Sequence, residues 1–237
     1  MEPYLYQTVH LLDGRPRLLE VHATVLERAA ATLFRRGWRA DLPQLAAELA
    51  ALARRERYPA EVSGFVRLEL GATGGLRLKP LGTSLYAGYA VRSVRPDAVT
   101  VSYDRLLVEA PTSASEAADA LVACAARRAG ADAAVRCDSA GSCRAIGDAP
   151  LFAIRGGAVV GSLQPLSAAA AAVERGAAAA GIRLADRPLL RSELAACDEL
   201  FAVDHRGITA LAHCDGRPYM AVVVDRLARG MERALGA

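Results

Sequence analysis

Hydrophobic and polar positions at the start of the chain predict a hairpin followed by a helix. Residues 3–12 alternate between the two kinds of position, as a strand does. Residues 13–16 read Asp-Gly-Arg-Pro, a turn signal, and 17–20 would form a short return strand. Apolar side chains then recur at helical spacing over 20–36, which predicts the first helix.

A second helix and several strands are predicted next. Asp41 is a suitable N-cap and Pro43 fits a first helical turn, so we expect a helix over 42–56. Apolar runs bounded by glycine or proline turns predict strands at 63–71, 76–81, 86–94 and 98–103. These elements predict a small α+β lobe spanning residues 1–108.

A second, larger lobe follows at 114–237, and residues 109–113 connect the two lobes. Its pattern predicts a helix at 115–129, strands at 133–138, 143–147 and 150–155, a helix at 167–180, a strand from 181, a short helix at 191–196, strands at 199–203 and 208–213, and a last helix ending near 235. The fold class predicted from the pattern is therefore α+β with two lobes and a cleft between them.

Composition narrows the function classes. The 237 residues have a formal net charge of +3, and the arginines are dispersed, so we expect no nucleic-acid partner. No uncharged apolar run approaches the roughly 18 to 20 residues of a membrane span, and no signal-peptide pattern opens the chain. We therefore expect a cytoplasmic protein that does not bind membranes.

The five cysteines are irregularly spaced, which favours neither a disulfide framework nor a metal site.

Five segments, in one order along the chain, resemble landmarks of a single enzyme family. They begin at residues 12, 65, 125, 151 and 187 and read LDGRPRLLEVH, FVRLEL, AARRAGADAAV, LFAIRGGAV and RPLLRSELAACDELF. The series resembles the class IV (fold-type IV) pyridoxal-phosphate enzymes, which include branched-chain and D-amino-acid aminotransferases and 4-amino-4-deoxychorismate lyases. The resemblance implies a small α+β lobe, a larger lobe with a barrel-like mixed sheet, and a homodimer.

The positions that carry the chemistry of this family are replaced. A lysine Schiff base holds the cofactor in such enzymes, and the resemblance places that lysine at Thr112. It places the phosphate-binding arginine at Val25 and the glutamate that pairs with the pyridine nitrogen at Ala145. Pro165, which has no N–H to donate, stands in one phosphate-binding loop, and Asp204 stands in the other.

The chain contains one lysine, Lys79, between Leu78 and Pro80 in the first lobe. This setting is typical of a surface lysine on a hairpin. Pyridoxal phosphate is the cofactor that the family implies, but the replaced positions predict that this chain uses no cofactor.

Polar residues in the segments that would face the cleft are the candidate functional residues. We predict catalytic roles for His205, Thr112 and Glu116, with His205 as a general base or anion clamp. Arg67 could bind a carboxylate through two N–H groups. The predicted ligand-binding residues are Arg67, His10, Arg144, Arg206 and Ser113.

Three hypotheses follow for function. The first is a class IV homologue that has lost covalent pyridoxal-phosphate chemistry and binds or converts a small anionic metabolite in the cleft. The second is a non-catalytic dimeric partner or structural protein with a vestigial cleft. The third is an active aminotransferase or aminodeoxychorismate lyase that uses Lys79.

Overall fold

The computed structural model describes residues 2–236, which form two β-sheets and the helices that cover them. The helices are α1 (Leu19–Leu33), α2 (Leu42–Arg55), α3 (Ser113–Arg128), α4 (Ala168–Ala180), α5 (Val223–Leu235) and a 3-10 helix at Arg191–Ala196. The strands, β1 to β15 in chain order, are Tyr4–Leu12, Arg15–Pro16, Gly64–Gly71, Leu76–Thr83, Asp97–Ser102, Ala133–Cys137, Ser142–Ile146, Ala149–Arg155, Ala158–Gly161, Leu184–Asp186, Leu189–Leu190, Glu199–Asp204, Gly207–Ala210, His213–Cys214 and Arg217–Pro218.

The first sheet is antiparallel, in the order β2-β1-β3-β4, and its two faces differ in chemistry. Successive side chains of a strand point to opposite faces. One face carries Leu5, Val9 and Leu68, which form a hydrophobic core with α1 and α2. The other face carries Tyr6 and Arg67, which lie toward the second lobe. The alternation in the sequence therefore separates the core of this lobe from one wall of the cleft.

The second sheet is mixed and has the main order β10-β9-β8-β7-β6-β5-β14-β15. Outside this order, β11 pairs with β7, β12 pairs with β8, and β13 pairs with β12. Helices α4 and α5 pack on one face around Phe152, Phe201, Val173 and Leu227. Both sheets and their helices agree with the two-lobed α+β fold that the resemblance predicted.

Local signals predicted several boundaries correctly. The Asp41 side chain accepts a hydrogen bond of 3.0 Å from the backbone N–H of Gln44 and caps α2. Helix α4 begins after Ser167, whose side chain accepts from Ala170. Cys137 and Cys143 face each other across the β6–β7 hairpin, and their sulfur atoms are 2.9 Å apart.

Tertiary contacts overrode the pattern at 86–94, where the predicted strand is wrong. Only Val91 makes an isolated bridge there, to Ile208. The neighbouring backbone is held by side chains instead, because Ser63 Oγ accepts from Gly88 N at 2.8 Å and the Glu232 carboxylate accepts from Tyr89 N. Residues 86–94 therefore form no continuous strand pairing.

Other predictions need smaller corrections. The strand predicted at 98–103 is β5, and it runs parallel to β6 in the second sheet, so it does not join the sheet of the first lobe. The return strand predicted at 17–20 lies at 15–16, because Leu18 adopts a left-handed φ of 54° and α1 begins at the next residue. The strand predicted at 208–213 is divided between β13 and β14, which pair with different strands. Within residues 2–236, no helix is long and apolar enough to cross a membrane.

Candidate ligand-binding cleft

A cavity of about 1010 Å³ lies between the first sheet and the second lobe. The first lobe lines it with β1, β3 and α1, and the second lobe lines it with α3, the β6–β8 hairpins and the loop after β12. The connection before α3 and the segment before α4 complete the wall. A concave site between lobes is where ligands usually bind.

Two predicted residues meet in this cleft. Arg67 on β3 donates from Nη1 to Oε1 of Glu116 on α3 at 2.6 Å. The Arg67 guanidinium also lies over the ring of Tyr6, 4.3 Å from its centroid, in a cation–π contact. Tyr4 donates its hydroxyl to the other Glu116 oxygen at 3.2 Å. The first turn of α3 is thereby tied to β1 and β3.

A second polar cluster continues from Tyr6. Its hydroxyl donates to Asp148, and Arg105 donates to the other oxygen of Asp148 at 2.5 Å. Arg105 also donates to Asp119 on α3 at 3.2 Å. The Arg105 side chain is only 9% exposed, so these two carboxylates, and not water, stabilise its positive charge.

Arg136 on β6 also lines the cleft, but no carboxylate oxygen in residues 2–236 lies within 4.0 Å of its guanidinium nitrogens. Burial, and then the charge of Arg105, lower the pKa of Arg136. The Nε atoms of Arg67, Arg105 and Arg136 are all buried without a hydrogen-bond partner. Unsatisfied buried donors are uncommon in native proteins, so these three mark places for a ligand or water.

The loop after β12 contributes His205 to the lining. Burial lowers the pKa of His205 to about 4, so its ring is neutral near pH 7. The ring packs edge-on against Phe65, 5.0 Å between centroids. Its neighbours Asp204 and Arg206 pair with each other at 2.8 Å, which leaves Arg206 with a counter-ion in its own loop.

The sequence matches no protein-family model and no curated protein. Solved structures, however, match the fold over nearly the whole chain. A branched-chain aminotransferase from Thermoproteus uzoniensis, solved with norvaline, aligns with a TM-score of 0.79 and 20% identity, over 98% of this chain and 84% of that one. A fold IV transaminase from Curtobacterium pusillum gives 0.77 and 20%, over 97% and 84%. A putative 4-amino-4-deoxychorismate lyase from Legionella pneumophila gives 0.78 and 14%, over 98% and 91%. The protein has the class IV aminotransferase fold.

Within this class IV fold, most positions where the resemblance places cofactor-binding groups do face the cleft. Val25, Ala145, Pro165 and Asp204 all line the cavity. The position of the Schiff-base lysine, Thr112, lies just outside the lining.

Lys79 lies on β4, exposed and outside the residues that line the cavity. It is paired directly with Arg67 across β3 and β4. Side chains of directly opposed residues emerge on the same face of a sheet. Lys79 therefore stands on the same face of the sheet as Arg67, one strand further from β1.

The predicted site residues divide into two groups. Those that line the class IV cleft are Arg67, Glu116, Arg144, His205 and Arg206. Thr112, Ser113 and His10 lie outside the lining. The Thr112 hydroxyl accepts from Ser115 N at 3.1 Å and caps α3, whereas His10 is fully buried 2.7 Å from Ser63 Oγ. Their roles in binding or catalysis stay predictions.

Sequence reasoning missed Tyr6, Arg105, Asp119 and Arg136. Arg136 did leave a signal, because it is the one charged residue in the apolar run 133–137. Burying a cation in such a strand is costly unless the side chain has an ion-pair partner or faces a cavity. Arg105 left no comparable signal, since its loop becomes part of the site only through contacts with α3 and the β7–β8 turn.

Proposed function

We propose that this protein uses the class IV aminotransferase fold to bind a small anionic metabolite in the interlobe cleft, without covalently held pyridoxal phosphate. The observation that carries the proposal is the set of cleft arginines with buried, unpartnered Nε atoms, Arg67, Arg105 and Arg136. Guanidinium groups are well suited to carboxylates and other planar anions.

The residues of the cleft do not fit covalently bound pyridoxal phosphate. A Schiff base needs a lysine amine in the cavity, and the single lysine of the sequence is exposed and outside the lining. Val25 offers an apolar side chain where a phosphate would need a cation, and Pro165 has no N–H. We therefore propose no reaction step that passes through this cofactor.

The cleft residues themselves suggest what a bound anion would meet. Arg67 already holds Glu116 through Nη1, and its free Nε adds a donor for the ligand. His205 is neutral near pH 7, which makes its ring a proton acceptor for a ligand in the cavity. We propose that Arg67 positions the anion and that His205 accepts a proton if a reaction takes place.

The proposal includes a homodimer. Several large apolar side chains outside the cores are exposed, among them Leu85, Val94, Leu106 and Leu121. Such side chains favour burial against a second copy. Light scattering after gel filtration would measure the mass, and a monomer of 24.9 kDa would contradict this part.

The deciding experiment is the visible absorbance spectrum of the purified protein with added pyridoxal phosphate, before and after borohydride reduction. We expect no internal-aldimine band, and mass spectrometry of the reduced sample should find no adduct. An aldimine band with an adduct mapped to Lys79 would overturn the proposal.

A second candidate function is an active aminotransferase or lyase that uses Lys79. Its position directly opposite Arg67 supports this candidate, because the pairing places the lysine on the face of the sheet that carries Arg67. A Lys79→Ala variant distinguishes the two candidates, with Lys79→Arg as the control that keeps the charge. The main proposal expects unchanged anion binding in both variants. Loss of an aldimine band and of transamination in both would establish the second candidate.

A further inference from the structure

One cation of the cleft has no counter-ion in the described residues. Arg136 lies in β6 between Val135 and Cys137, which are at most 1% exposed. Because neighbouring side chains of a strand alternate, its guanidinium projects from the other face, into the cavity. Its Nε has no hydrogen-bond partner, and no carboxylate of residues 2–236 is within ion-pair distance.

The nearby carboxylates are already engaged. Asp119 pairs with Arg105 at 3.2 Å, and Asp138 pairs with Arg144 at 2.7 Å. Both are close enough to stabilise the charge of Arg136, yet burial and Arg105 outweigh them and lower its pKa. A half-buried charge in this position is costly unless an anion accompanies it.

Arg105 supplies a second donor in the same part of the cleft. Its Nη2 serves Asp119 and Asp148, while its Nε is buried and free. Arg105 and Arg136 thus each offer an unused N–H beside the same group of aspartates. The positive charges of Arg105 and Arg136 repel each other, and an anion bound between them would offset this repulsion.

We infer that Arg136 and Arg105 form a subsite for a carboxylate group of the ligand, with Arg136 as the residue whose charge that carboxylate neutralises. This inference rests on the proposed function, because it names the chemical class of the anion and the place where it binds.

Charge balance favours a carboxylate over a phosphate. Three arginines and four aspartates share this part of the lining, namely Arg105, Arg136, Arg144, Asp104, Asp119, Asp138 and Asp148. Their formal charges sum to −1, so each further negative charge of a ligand is repelled by the aspartates. A carboxylate brings one negative charge where a phosphate brings nearly two. Its planar pair of oxygens also matches the fork of a guanidinium.

The test is a calorimetric titration of the full-length protein with benzoate, succinate and inorganic phosphate at constant ionic strength. Arg136→Gln removes the unpaired charge, and Arg175→Gln is the matched control, since Arg175 is paired with Glu20 and lies outside the residues that line the cleft. We expect at least tenfold weaker carboxylate binding in Arg136→Gln and less than a twofold change in Arg175→Gln. Arg136→Lys, which keeps the charge and loses the fork, should fall between wild type and Arg136→Gln.

Several results would overturn the inference. They are equal losses of carboxylate affinity in Arg136→Gln and Arg175→Gln, no loss in Arg136→Gln, phosphate binding more tightly than both carboxylates, and no carboxylate binding by the wild type. If Arg136→Gln does not fold, Arg136→Lys serves as the test. Carboxylate binding at wild-type affinity in Arg136→Lys would contradict a role for the guanidinium fork in the subsite. The proposed function is tested separately, because an aldimine band in the wild type would end it even if carboxylates still bound through Arg136.

Discussion

Two sides of the cleft differ completely in charge. The side built by α1 and the segment before α4 contributes His22, Val25, Ser162, Gln164, Pro165, Leu166, Ser167, Ala168 and Ala169. It carries no carboxylate, arginine or lysine in the described lining. The side built by α3, β6, β7 and the loop before α3 contributes the charged residues Asp104, Arg105, Glu109, Glu116, Asp119, Arg136, Asp138, Arg144 and Asp148.

The proposed subsite would lie on the opposite side of the cleft from the positions that the resemblance gives to phosphate-binding groups. On the uncharged side, Val25 and Pro165 occupy positions that the resemblance gives to phosphate-binding groups. On the charged side, Arg136 of β6 is paired directly with Ala145 of β7, where the resemblance implies a carboxylate. A cation therefore stands beside the position where the resemblance implies an anion. The backbone need not change for this reversal, since only side chains decide the charge.

Acid should have the largest effect, because it forces charge onto three buried histidines, one of which, His22, lies on the uncharged side. Burial lowers the pKa of His22 and His10 to about 3 and that of His205 to about 4. The unfolded chain binds these protons near pH 6.5, so stability is complete above that pH and is lost as the pH falls toward 4 and below. Each histidine contributes up to about 1.4 kcal/mol per pH unit in this window.

Urea unfolding at pH 7.5 and pH 5.0 measures this loss. His22→Asn should show a shallower pH dependence than the wild type, because asparagine takes up no proton in the unfolded chain. Equal stability of the wild-type protein at both pH values would contradict the burial of these rings.

Removing Arg105 should have the next largest effect, on the charged side. Arg105→Gln leaves Asp119 and Asp148 facing each other without their shared cation, which should cost about 3 kcal/mol. Arg144→Gln is the control, and its half-exposed pair with Asp138 should cost less than about 1 kcal/mol. Thermal or urea unfolding measures both. Equal losses of unfolding free energy in the two variants would contradict the expectation that the more buried arginine, Arg105, contributes more to stability.

Ser167→Ala should have the smallest effect and leave the charged side untouched. It removes the bond of 3.1 Å from Ala170 N that caps α4, which should cost about 1 kcal/mol of stability. Ser167→Asp keeps an acceptor at the cap and should restore that stability. Carboxylate affinity should stay the same in both variants, because the proposed subsite is on the other side of the cleft. A parallel loss of affinity would place the ligand on the uncharged side.

Local sequence signals predicted the elements that depend on neighbouring residues. Asp41 fixes the start of α2 because its side chain needs only Gln44, three positions away. The segment at 86–94 was predicted wrongly because its bonds are divided among Ser63, Ile208 and Glu232, which lie far away along the chain. A turn or cap is encoded within a few residues, whereas the partner of a strand depends on the whole fold.

The same distinction applies to the site. Arg67 and Glu116 were predicted from segments that resemble the family, and the fold brings them within 2.6 Å. Arg105 was not predicted, because its two carboxylate partners come from α3 and the β7–β8 turn. Ion pairs between distant segments leave no periodic pattern in the chain.

The sequence alone determined the two-lobed class IV fold, since hydrophobic spacing and turn residues act locally and recur in the order of the family landmarks. It also contains a single lysine, and the resemblance predicts that Val25, Ala145 and Pro165 stand where the family has cofactor-binding groups. Only the tertiary structure decided which arginines lack a counter-ion in residues 2–236. That property depends on distances between segments far apart in the chain, and among the described residues Arg136 is unpaired because Asp119 and Asp138 are held by other arginines.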